Sequence, residues 1–165
     1  MEIERTIHPD QETADVFSRE QVSHKPIVML NLLRFRQSAD YSGTGIEAEP
    51  TSGREAYDRY GRAVIKLLWR EGGQILWSGN VRSTFIAPSY ERWDRAVLAY
   101  YPSRAAFLRM VGSEEYQRVV GHRMAALEDS RLLETRATRL PKLPLAASRL
   151  AVRTWARLRR AARRA

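Results

Sequence analysis

The chain has 165 residues, 44% of them hydrophobic and 28% charged, which is room for one domain plus an appendage and too apolar for wholesale disorder. It contains no cysteine, so disulfide frameworks, thiol nucleophiles and cysteine-zinc sites are excluded. The formal charge is +9, but residues 1–136 hold nineteen basic and nineteen acidic side chains, and a neutral core argues against nucleic-acid binding, which needs a basic face.

The N-terminus (Met1-Glu2-Ile3-Glu4-Arg5) lacks the basic-then-apolar build of a signal peptide, and no stretch approaches 18 apolar residues. The expectation is a cytoplasmic protein. His8-Pro9-Asp10 with Glu12 and Asp15 reads as an extra N-terminal helix, its acids in the first turn and Val16 and Phe17 as buried contacts. Pro26 precedes Ile27-Val28-Met29-Leu30-Asn31-Leu32-Leu33, an apolar run of strand length. Residues 37–53, rich in Ser, Gly, Thr and acids, form a long loop.

Residues 53–71 read as a helix with Tyr57, Tyr60, Val64 and Leu68 along one face, stopped by Gly72-Gly73. Gln74 to Ala87 reads as a strand with Ile75, Trp77, Val81 and Phe85 on one face, and Gly79 marks a bulge or a close approach of another group. Asp94 to Tyr101 is the next strand. Ser103 and Ser113 are placed as N-caps of two helices, the second with a face of Tyr116, Val119, Val120, Met124 and Leu127. Asp129 to Thr138 is the last strand.

The order strand, helix, strand, strand, helix, strand is the βαββαβ arrangement of an α+β, ferredoxin-like sandwich. Helices cover one face of such a sheet. The strands carry large apolar groups on both faces, so the other face needs a cover, and a second copy supplies it as a dimeric α+β barrel, a two-fold homodimer. The division is a domain over 1–137 and a tail over 138–165. From Arg139 to Arg164 the tail holds nine basic residues and no acid. Its arginines at 149, 153, 157, 160 and 164 share one side of a helical wheel, opposite Val152, Trp155 and Leu158.

Pro26 through Arg36, Tyr57-Asp58-Arg59-Tyr60-Gly61, Gly72-Gly73, Trp77-Ser78-Gly79, Trp93-Asp94, Tyr101 through Phe107 and Tyr116 through Arg123 occur in this order. Together, over residues 8–136, they resemble the bacterial domain-of-unknown-function 1330 family. The resemblance implies a dimeric α+β barrel akin to small cofactor-free monooxygenases, muconolactone-isomerase-like proteins and stress-response barrel proteins. It implies no established activity and says nothing of the tail.

Six residues stand out for chemistry. Asn31 is the lone polar side chain in the first strand, either satisfying a neighbouring group or aimed at a ligand. Arg123 lies on the apolar stripe of the last helix, where it serves a structural ion pair or binds a carboxylate with its planar fork. His122 beside it is a solvated helix residue or an acid/base group near neutrality. Asp94 is a hairpin cap or a general base. Tyr60 and Trp77 are core by spacing, or ligand-lining aromatics with polar tips. Asp94 and His122 are therefore the candidate catalytic pair, and Asn31, Trp77, Arg123 and Tyr60 the candidate ligand-binding set.

His8, His24 and His122 lack metal-ligand spacing, and neither a GxGxxG nor a Gly-x-Ser-x-Gly motif occurs. No metal or cofactor is expected. The leading expectation is a homodimeric small-molecule-binding protein. If it is an enzyme, the residues suit cofactor-free proton transfer of isomerase or monooxygenase type. The competing expectation is a non-enzymatic dimeric scaffold whose basic tail contacts an anionic membrane surface or an acidic partner.

Overall fold

The computed structural model describes residues 5–9, 12, 15 and 25–136. Strand β1 (Ile27–Phe35) forms from the apolar run after Pro26. Helix α1 (Gly53–Arg70) opens on a capping box: the Ser52 hydroxyl accepts from the Glu55 N–H, and the Glu55 carboxylate accepts from the Ser52 N–H. It closes as the paired glycines predict. Gly72 takes a left-handed φ of 74°, its N–H donates to Trp69, and the Gly73 N–H donates to Leu68. Strands β2 (Gln74–Asn80) and β3 (Arg95–Tyr101), helices α2 (Arg104–Val111) and α3 (Glu114–Ala126), and strand β4 (Leu127–Thr135) follow. Ser103 and Ser113 cap α2 and α3 as expected.

The sheet has the order β2-β3-β1-β4, every neighbouring pair antiparallel. This is the ferredoxin-like α+β fold. Directly opposed residues share a face, so the register sorts the side chains. Ile27, Met29, Asn31 and Leu33 pair with Tyr101, Ala99, Val97 and Arg95 and face the helices. One core cluster holds Ile27, Met29, Leu68, Ala99, Tyr101 and Met110. A second gathers Leu33, Ala56, Tyr57, Tyr60, Ala126 and Leu127. Val64 and Tyr116 pack against both. The α1 face of Tyr57, Tyr60, Val64 and Leu68 thus lies where its spacing puts it.

The opposite face carries Val28, Leu30 and Leu32 beside Tyr100, Leu98 and Ala96, with Leu133 opposite Leu30. No element of the described residues covers it, and Leu133 is 49% exposed.

Strand β2 departs from its expected course twice. Ile75 pairs with Ala99 but Trp77 pairs with Leu98, so Leu76 is an extra residue in a β-bulge. The bulge turns Ile75 toward the helices and Trp77 toward the open face. The two do not share a face as strict alternation predicts. The indole lies over Gly79, where a Cβ would meet it at 2.4 Å, so the strand glycine is needed for a close approach. The strand also ends at Asn80 rather than Ala87. Val81 donates to the Asp94 carbonyl, and Phe85 and Ile86 stand free of any sheet, 98% and 87% exposed.

At the other end, α3 passes into β4 without a loop. Leu127 is already extended (φ −100°, ψ 132°), so the last strand begins two residues earlier than expected. Residues 36–52 form the predicted loop, but it is docked: Arg36 and Asp40 donate to the Ala126 and Ala125 carbonyls, and Ile46 fills the space left by Gly121 on α3. The expected N-terminal helix lies almost wholly outside the described residues, and the tail after 136 lies entirely outside them.

Candidate functional site

Asn31 sits on the helix-facing side of β1 between Met29 of one core cluster and Leu33 of the other, the juncture that Val64 and Tyr116 span from the helices. Its amide makes one long contact, Nδ2 to the Met29 carbonyl at 3.4 Å, near the limit of a hydrogen bond. Its strand neighbours are Val97 and Leu132. Val97 is packed in the core. Leu132, on the same helix-facing side, is 43% exposed, so solvent reaches this face from the β4 edge.

Tyr60 of α1 belongs to the second cluster, with Leu33 and Tyr57. It is buried, and its hydroxyl lies 3.5 Å from that of Tyr116, again a long contact. The rings meet edge to face at 6.2 Å. Burial pushes the Tyr60 phenol well above its ordinary range and raises Tyr57 to about 12. These phenols stay protonated at neutral pH, so each can donate a hydrogen bond but none is a base. Tyr60, Tyr116 and Asn31 are therefore polar groups in an apolar setting whose hydrogen-bonding capacity is weakly used.

Of the remaining candidates, Arg123 lies close enough for its charge to act on the Tyr60 and Tyr57 phenols, but its hydrogen bonds go elsewhere. The Arg123 guanidinium donates to the Ile7 carbonyl at 2.9 Å and the Ser130 hydroxyl at 2.8 Å. Ser130 N–H donates to the Thr6 carbonyl, so the arginine staples the first described residues to β4. Asp94 accepts the Phe35 N–H at 2.7 Å while its own N–H donates to the Leu33 carbonyl. It closes the end of β1 against the hairpin. Trp77 lies on the opposite, open face, 53% exposed.

His122 is paired with Tyr41 of the docked loop: Nδ1 lies 2.8 Å from the Tyr41 hydroxyl. Partial burial, with the Arg59 charge adding to it, lowers the imidazole below its usual value, so it is neutral at pH 7. Sequence reasoning missed Tyr41, and it left Tyr116, core by spacing or a pocket-lining aromatic like Tyr60, out of the candidate ligand-binding set. The lone aromatic in a polar loop was the available signal for the first. Nothing in the spacing distinguishes the second. It also missed Arg95, whose guanidinium bonds Asp58 at 2.7 Å and lies over the Phe35 and Tyr57 rings. Among the described residues no group of three or more His, Asp or Glu is placed to hold a metal.

The family model described as "Domain of unknown function (DUF1330)" matches residues 48–135. The chain belongs to this family. A solved structure similar to this DUF1330 protein is that of a protein of unknown function from Rhodopseudomonas palustris, with 38% identity and a TM-score of 0.75, covering 83% of this chain and 100% of the other. A methylated form of that protein matches at the same identity and TM-score, covering 84% and 98%. A cofactor-independent oxygenase from Streptomyces nogalater matches at 13% identity and a TM-score of 0.42, covering 73% and 98%. No curated protein matches the DUF1330 chain. No helix among its described residues is long and apolar enough to cross a membrane.

Proposed function

We propose that this DUF1330 protein is a homodimer that binds a small molecule. Two protomers pack their open sheet faces together, and each takes ligand on the helix-facing side, with Asn31 of β1 and the Tyr60–Tyr116 pair of the helices as its polar groups. The observation that carries the dimer is the uncovered face of Val28, Leu30, Leu32, Leu98, Tyr100 and Leu133. A wet apolar surface forfeits about 25 cal/mol per Å², and a four-stranded face is large enough for that to exceed most single-site effects. The three weakly used polar groups support the ligand. Donors withdrawn from water without good partners are costly, and a ligand oxygen accepting from buried Tyr60 or the half-buried Asn31 amide supplies the partner.

If turnover occurs, the phenols hold the ligand and a neutral His122, on the same helix as Tyr116, takes the proton. Asp94 and Arg123 keep their candidacy only if ligand binding releases them from their present bonds.

Native mass spectrometry of the purified full chain tests both halves. The expected result is twice the chain mass with a retained small-molecule adduct, the adduct lost in the Asn31→Leu/Tyr60→Phe variant and the assembly lost in Leu98→Asp. A single-chain mass at micromolar concentration refutes the dimer. An adduct that survives the double substitution removes the juncture as its site.

A second reading rests on the charge distribution. Nine basic and no acidic residues after 136 suit an anionic surface, and two tails per dimer would add their affinities. Flotation with anionic vesicles, equal for the full chain and a chain cut at residue 138, rejects it.

A further inference from the structure

We infer that the β2–β3 connection, residues 81–94, is an arm by which each protomer grips its twin, with Phe85 and Ile86 seated on the second copy of this chain. The inference rests on the dimer proposed above and adds to it a contact the sheet faces alone do not make.

The arm is built on a firm base. Val81 N–H donates to the Asp94 carbonyl, Asp94 N–H donates to the Leu33 carbonyl, and the Asp94 carboxylate accepts the Phe35 N–H. Arg54 on α1 donates to the Asn80 side chain at 3.0 Å. The returning leg lies on the open side of the sheet. There the Trp93 ring sits 5.3 Å from the guanidinium carbon of Arg131, and Arg131 opposes Leu32 on that face. Beyond this base the tip is apolar and unsupported. Phe85 is 98% exposed and Ile86 is 87% exposed, the two most exposed large hydrophobic residues described. Ala87 and Pro88 continue the apolar stretch.

Area decides the occupant. Four strands about 4.8 Å apart and seven paired residues at about 3.4 Å each make a flat face of roughly 450 Å². A stable interface needs about 800 Å² per partner. That requirement counts accessible surface, which exceeds a flat footprint, so the sheet face supplies most of it. A phenylalanine offers about 150–250 Å², and with Ile86 beside it the tip adds a second contact of comparable weight. A second copy meets both requirements at once, because two-fold symmetry brings an arm from each side.

The test is sedimentation equilibrium of the full chain carrying Phe85→Ser and Ile86→Ser. Both side chains are almost wholly in solvent, so the protomer keeps its fold, checked by far-UV circular dichroism. The expected result is a dimer dissociation constant raised about 100-fold or more, since two large apolar contacts are lost on each side. Exposure of Trp77 and Trp93 on dilution, read as a red-shifted emission, should then occur at correspondingly higher protein concentration.

An unchanged dissociation constant, with Leu98→Asp monomeric, overturns the arm and leaves the sheet-face dimer standing. A wild-type chain that is monomeric at micromolar concentration overturns both. If the wild-type chain cosediments with anionic phospholipid vesicles, and the double substitution abolishes this without changing the dissociation constant, the tip serves a lipid surface and the inference falls.

Discussion

Replacing Asn31 with leucine separates a residue kept for ligand from one kept for the fold. Asparagine and leucine are close in size, so the substitution changes chemistry more than volume. The amide has one long hydrogen bond, 3.4 Å, and apolar strand neighbours in Val97 and Leu132. Burying an amide without a good partner costs about 1–3 kcal/mol in protein mutational data. Asn31 is half-buried, so about half of that is recovered, and the leucine adds apolar contact on the same face. The expected outcome is a gain of about 1 kcal/mol in unfolding free energy, a rise of roughly 3–6 °C in Tm for a domain of this size, together with loss of ligand retention. Urea denaturation and differential scanning calorimetry of the ligand-stripped protein measure the first part. A fall in Tm of several degrees would show that the strand needs the amide, and the argument for a ligand-facing Asn31 would collapse.

The same geometry fixes further outcomes. Tyr60→Phe should change unfolding free energy by less than about 0.5 kcal/mol, because a 3.5 Å hydroxyl contact is at the weak end of the ordinary range. A loss above 1.5 kcal/mol in urea titration would make that hydroxyl structural. Gly53→Ala should cost about 2–3 kcal/mol, because a Cβ there meets the Arg36 and Ala126 carbonyl oxygens at 2.4 and 2.5 Å. Gly61→Ala, mid-helix with open space around it, should gain about 0.5–1 kcal/mol, and urea midpoints rank the pair. His122 should titrate below the usual histidine value by NMR, since burial and Arg59 disfavour its charge. Its contribution to stability is complete above pH 6.5 and is lost as pH falls through the folded value, and Arg59→Gln, which removes the repelling charge, should move that titration upward. Glu55, held near a pKa of about 2 by the Ser52 hydroxyl and N–H and the Thr51 hydroxyl, gives stability present above its ordinary value of 4.5 and lost toward pH 2. Ser52→Ala should flatten that decline in acid unfolding curves.

Periodicity made α1 legible because each part of the signal was local. Tyr57, Tyr60, Val64 and Leu68 recur at helical spacing, and the terminal glycines have no competing use. Element order carried the fold class for the same reason. Strand β2 was read wrongly because alternation assumes one residue on each side of a ladder. The inserted Leu76 breaks that assumption, and Phe85 and Ile86 imitate a strand without pairing with one. Asn31 was placed on the correct face because β1 is regular. Its neighbours came from a register that depends on residues some 65 and 100 positions away. Arg123 and Asp94 could not be assigned from the sequence, since their partners, Ile7 and Ser130 for one and Phe35 for the other, are set by the folded chain. The Tyr41–His122 pair depends on how a seventeen-residue loop docks, which its composition does not encode.

Leu76 gives β2 a change of phase. Residues before it and after it obey opposite parity, so the ladder is in effect two half-strands spliced out of step. A deletion of that one codon would bring the two halves back into step: Ile75 and Trp77 already oppose consecutive partners, Ala99 and Leu98, so each would keep its present face. Among relatives of this chain, a gap of one residue at this point should therefore come without compensating changes at 75, 77 and 79.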